Sequence, residues 1–102
     1  MRLVMDWIGQ RVVVRSSPSG VWLGTLLDAE DCSVKLGDAR RAHAWEGAGS
    51  CSGLALTGPT GGRITAPVSS VVVMEVCEVI PATQQACAAW DAQPAWVGRD
   101  GR

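Results

Sequence analysis

The residues with the most chemistry per position fall in one run of nine, Asp38-Ala39-Arg40-Arg41-Ala42-His43-Ala44-Trp45-Glu46. An arginine guanidinium offers a planar fork of donors that fits phosphate or carboxylate, and a tryptophan or histidine offers a ring face for stacking. Arginines beside rings therefore suit a nucleotide-like anion. Arg15 ends an apolar run and Trp22 lies just past the next turn, so a closed sheet would bring both toward the rim that holds Arg40 and Arg41. Arg63, in a glycine-rich stretch, would add a mobile lid. The candidate ligand-binding set is Arg15, Trp22, Arg40, Arg41, His43, Trp45 and Arg63. A plainer reading of the same run pairs one arginine with Asp38 or Glu46, plugs Trp45 into the core and leaves His43 solvated.

Catalytic signatures are missing from the sequence. It contains no Gly-x-Ser-x-Gly elbow, no phosphate loop ending in Gly-Lys-Ser/Thr and no His-Glu-x-x-His. Gly58-Pro59-Thr60-Gly61-Gly62-Arg63 has the glycines of a phosphate cradle but lacks its lysine and a following helix, and reads as a flexible loop. His43 is the one histidine, which rules out a histidine-rich metal site. Cys32, Cys51, Cys77 and Cys87 are widely spaced with no close pair and read as buried free thiols rather than disulfides or metal ligands. The expectation is a non-enzyme with no cofactor and no metal.

These residues have to be positioned by strands. Gln10 to Ser16 is β-branched and runs into Ser17-Pro18-Ser19-Gly20, a turn signal, after which Val21 to Leu27 predicts the partner strand of an antiparallel hairpin. The acidic loop at 28–31 leads to a third strand from Ser33 toward Trp45. Strict alternation puts Lys35, Ala39, Arg41, His43 and Trp45 on one face of it, and Val34, Leu36, Asp38, Arg40, Ala42 and Ala44 on the other. Arg40 and Arg41 then point apart unless a bulge intervenes. Residues 47–62 are rich in glycine, with room for one short helix over 50–57 capped by Gly49 or Ser50. Arg63 to Pro67 predicts a brief extended segment, 70–80 a central strand ending at Pro81, and 82–90 a C-terminal helix before a frayed tail.

With 102 residues the chain holds one domain, over 1–96, followed by a flexible tail over 97–102. Its core must come from Val, Leu, Ala and Trp, since Phe and Tyr are absent. The fold class expected is mainly β: a small twisted antiparallel sheet or barrel-like domain closed by one or two short helices. A net charge of −1 excludes a general nucleic-acid coat, which needs a basic stripe. No stretch reaches the roughly 20 apolar residues of a membrane span, and Asp6 interrupts the N-terminal run before it could serve as an export signal. A cytoplasmic protein is expected.

Several stretches in order, Val14-Arg15, Gly20 to Gly24, Leu36 to Arg41 with Trp45 and Gly47-Ala48, Leu54-Ala55 with Gly58, and Glu75 to Thr83, resemble a bacteriophage family of domains of unknown function over about residues 9 to 96. Its most specific string is Ala-Arg-Arg-x-x-x-Trp-x-Gly-Ala. The resemblance implies a small phage or prophage accessory protein, cytoplasmic in the infected cell and non-catalytic. By analogy of size, context and Arg/Trp chemistry it is similar to phage sponges that sequester cyclic or ADP-ribose-type nucleotide signals of bacterial defence, proteins that commonly form homo-oligomers. The rival expectation is a protein-interaction module or assembly factor that docks through an exposed strand or a tryptophan patch.

Overall fold

The computed structural model describes residues 2–97. A short 3-10 helix, Arg2–Trp7, leads into strands β1 (Arg11–Ser16), β2 (Gly20–Glu30) and β3 (Ser33–Glu46). Helix α1 (Cys51–Leu56), strands β4 (Gly61–Ile64), β5 (Val68–Val73) and β6 (Val76–Pro81), and helix α2 (Gln84–Asp91) complete the chain. All pairings are antiparallel in the order β4-β3-β2-β1-β6, with β5 paired to the first half of β3 and β4 to its second half. The chain is thus mainly β, one six-stranded sheet with two short α-helices.

The sheet curls. Val73 of β5 and Val76 of β6 come from opposite edges yet join Val12, Val14, Leu26 and Leu36 in one buried cluster, against which Val4 of the 3-10 helix also packs. The Val76 amide donates to Cys32 O at 2.8 Å, tying the start of β6 to the β2–β3 turn. Val13, Val21, Leu23, Ala42 and Ile64 form a second cluster, roofed by Leu54 and Ala55 of α1 and by Trp90 of α2. Trp90 is fully buried, and its indole N–H donates to Leu54 O at 3.1 Å, so no polar group of the ring is left unpaired.

Both helices are capped, the first by Ser50, one of the two residues expected there. The Ser50 side chain accepts from the Gly53 amide, and Thr83 Oγ1 accepts from the Ala86 amide. At Gly58, with φ +76°, a Cβ would lie 2.6 Å from Ala89 Cβ, so only glycine lets the exit of α1 sit this close to α2.

Four expectations need correction. The predicted central strand over 70–80 is two edge strands, because Glu75 adopts φ +53° and breaks the run after Met74. β2 extends to Glu30, through the acidic residues expected to form a loop. The cysteines are free, as expected, but Cys32 and Cys77 are exposed and Cys51 and Cys87 half-buried. Residues 94–97, expected to fray, are placed against β4: the Trp96 amide donates to Ile64 O at 2.7 Å. Residues 98–102 of the predicted tail lie outside the described residues. Among the described residues no helix is long and apolar enough to cross a membrane.

Candidate functional site

Two irregularities in β3 decide which side chains it presents. Asp38 adopts φ +45°, and the pairing of β2 with β3 shifts between Leu23 and Thr25. The extra residue carries Leu36 and Ala39 to the same cluster, although strict alternation separates them. From there Arg41 follows Ala39, while Arg40 and Ala42 turn to the helix-covered face. A second shift, between Ala42 and Ala44, then sends Trp45 to that helix-covered face rather than to the face of Arg41 and His43. The predicted faces of β3 are wrong on both counts for one reason: a bulge inverts every later position.

Arg41 stands directly across from Trp22 on β2, its guanidinium carbon 5.9 Å from the Trp22 ring centroid. The Trp22 N–H donates to Ser19 O at 3.0 Å, which fixes the ring. Gly20 lets the guanidinium lie flat, for a Cβ there would sit 3.2 Å from one of its terminal nitrogens. The Arg41 Nε is buried without a hydrogen-bond partner. Among the described residues the ion pairs are those of Arg11 with Asp38 and Asp91, so Arg41 and Arg63 have no carboxylate partner.

A groove of about 360 Å³ opens beside this pair. Trp22 and Arg41 line it from the sheet, residues 65–67 from the β4–β5 connection with Val68 at the start of β5, and Ala95, Trp96 and Val97 from the segment after α2. Apart from Arg41 and Thr65, its lining is aromatic and aliphatic, which favours a ring. His43 and Arg63 stand at the Trp96 ring without lining the groove. The His43 and Trp96 centroids are 5.2 Å apart at a 50° tilt, and the Arg63 guanidinium carbon lies 5.6 Å from the Trp96 ring. His43 is exposed, but the packing at its ring, together with the charges of Arg41 and then Arg63, holds its imidazole below the usual histidine range. The result is a cationic, ring-lined corner.

The structure therefore brings together Trp22, Arg41, His43 and Arg63 of the sequence-predicted set and adds Trp96. Arg63 is held on β4 opposite Ala44 rather than on a loose loop. Three predicted residues lie elsewhere. Arg40 is buried, and its guanidinium donates to Thr65 O at 2.7 Å, Gln93 O at 2.9 Å and Trp90 O. It closes the C-terminal end of α2, where carbonyls lack helical partners and a cation is favoured. Burial lowers its pKa, and Asp91 and Asp38 oppose that shift. Trp45 packs with the helix-side cluster, and its N–H donates to Ala48 O at 3.0 Å. Arg15 is exposed in the pairing of β1 with β2 and β6, where its charge acts on Cys51 of α1. Cys51 itself is pushed up, first by burial and then by Glu78.

Trp96 left a signal that strand and helix periodicity do not weigh. A tryptophan in Pro94-Ala95-Trp96-Val97 is a costly residue to leave in a frayed tail, since its ring seeks burial. A second depression, about 170 Å³, lies among Asp28, Glu30, Ser33, Lys35 and Val72 at the β2–β3 hairpin. It has no aromatic lining, and the acids outnumber its single amine.

Residues 9–90 match the family model described as "Domain of unknown function (DUF6948)". The chain belongs to this family. The family domain thus spans β1 through Trp90 of α2 and stops short of Trp96. No curated protein matches the chain. Among solved structures it is similar to a heptameric archaeal Sm protein. That likeness has a TM-score of 0.57 at 19% identity and covers 81% of this chain and 100% of the other. At this identity it is a likeness of fold alone.

Proposed function

We propose that this protein binds a small anionic nucleotide in the groove of Trp22, Arg41 and Trp96 and sequesters it without converting it. The observation that carries the reading is Arg41, which among the described residues has no carboxylate partner and a buried Nε without an acceptor, and which shares one mostly apolar groove with Trp22 and Trp96. A phosphate on Arg41 would receive the charge-assisted bonds now unmade, and a base would stack on indole. His43 is flanked by Arg41 and Arg63, and among the described residues no carboxylate orients it as a general base, which favours binding over catalysis. Removal of a cyclic or ADP-ribose-type signal in a phage-infected cell is the setting that joins this chemistry to the phage resemblance. A homo-oligomer fits the reading as well, since the Sm neighbour is heptameric and the β5 and β6 edges here are open.

Calorimetry against mononucleotides, cyclic mono-, di- and trinucleotides and cyclic ADP-ribose isomers tests it. Saturable binding at micromolar concentration or tighter is expected, weakened at least tenfold by Arg41→Ala. Silence across the panel removes the reading. A second reading, a protein-docking module, draws on the exposed Val72 and Met74 at the β5 edge and gains if one stoichiometric protein partner co-purifies.

A further inference from the structure

We infer that Trp96 is the ring-selecting clamp of this chain, converting the Arg41 anion site into one that takes a single base with one phosphate. The inference rests on the nucleotide reading above and narrows it. Trp96 stands six residues past the end of the family match and belongs to neither buried cluster, so the core does not account for its ring. Its placement is nevertheless well supported. The segment is anchored at Gln93, whose side chain donates to Pro59 O at 3.2 Å and Ala89 O at 3.1 Å and whose carbonyl accepts from Arg40. Beyond that anchor the Trp96 amide holds β4, and the ring is held by His43 and by Arg63.

Such a ring, held by two side chains that do not themselves line the groove, is a preorganised stacking surface whose ordering cost is met before ligand arrives. The groove's volume of about 360 Å³ falls at the small end of the range of about 300–1,000 Å³ for small-molecule sites, and among the described residues Arg41 is the one cation in its lining. One base and one phosphate match that provision. A dinucleotide would leave its second half outside.

The test titrates the wild type, Trp96→Ala and Trp96→Phe with adenosine and guanosine 5′-monophosphates and with ribose 5-phosphate, which keeps the anion and lacks the base. Trp96→Ala should weaken both nucleotides by about tenfold or more, the scale of one lost base–aromatic stack. It should leave ribose 5-phosphate within about twofold and leave the circular dichroism spectrum unchanged. Trp96→Phe should recover part of the loss. Equal losses for the nucleotides and ribose 5-phosphate, or no loss for either, overturn the clamp. A wild type that ignores the monophosphates but binds a cyclic dinucleotide overturns the clamp's ligand and spares the nucleotide reading. A wild type that binds nothing in either panel overturns both.

Discussion

Arg40 and Arg41 serve different ends because β3 turns adjacent residues to opposite faces. Arg40 spends its donors on carbonyls at the end of α2 and on Thr65, so Arg40→Met strands several buried acceptors. With each such acceptor costing about 1–3 kcal/mol, and with Trp90 O also accepting from the Gln93 amide, a net loss of about 2–4 kcal/mol is expected in urea unfolding. Arg41→Ala should lose binding and cost about 1 kcal/mol or less in stability, since its guanidinium packs on Trp22 and beside Gly20. His43 adds a pH dependence of definite sign. Its folded-state pKa lies below the unfolded value of about 6.5, so the unfolded chain takes the proton more readily. Its effect on stability is absent above about pH 6.5 and becomes destabilising as pH falls through the lowered folded value. His43→Gln should flatten that slope in thermal melts. An anion at Arg41 offsets the repulsion of the imidazolium, so binding should take up a fraction of a proton near pH 6, read from calorimetry in buffers of different ionisation enthalpy.

Among the elements, β4 is the short one on which the corner depends, because it carries Arg63 and accepts the Trp96 amide at Ile64. It closes on β3 through Gly62, at φ +133°, where a Cβ would fall 2.2 Å from Ala44 O. Gly62→Ala cannot keep that approach and should cost about 2 kcal/mol or more. The loss should show as faster hydrogen exchange at Ile64 and Trp96, with the β1 and β2 amides protected as before. The first hairpin, the cap of α1 and the mainly β class were legible in the sequence because turn residues and capping side chains act locally: Ser17 to Gly20 marks its turn without help from the rest of the chain. The faces of β3 were not, since the bulges at Asp38 and His43 answer to pairing partners 12 or more residues away. Glu75 looked like an interior strand residue for the same reason. It breaks the run only because β5 and β6 must reach opposite edges of a curled sheet. Trp22 and Arg41 could be read as candidates from type alone, but their pairing needed the register, and Trp96 needed the docking of a segment with no periodicity of its own.

For the whole molecule, the curl that builds the groove also leaves edges open. Among the described residues β5 pairs only with β3 and β6 only with β1, so each strand has one edge without a partner strand. Soluble proteins usually guard such edges with charge, proline or a covering segment. Along β5 no side chain carries a charge: Val68, Ser69, Ser70 and Val72 are exposed, Val72 at 55%, and Met74, just past the strand, is at 61%. An uncharged open edge on a chain of 10.7 kDa is a surface that a second copy can extend by strand addition, and two different edges on one chain allow head-to-tail contacts that close into a ring. Light scattering after size exclusion should therefore return a mass that is a multiple of the single chain. Val72→Lys places a charge at the edge without touching the buried clusters, and should lower that mass while the far-ultraviolet spectrum stays unchanged. A wild type that elutes as a monomer at high micromolar concentration would show that the edges are closed to a second copy, and would leave the groove of one chain to bind its ligand unaided.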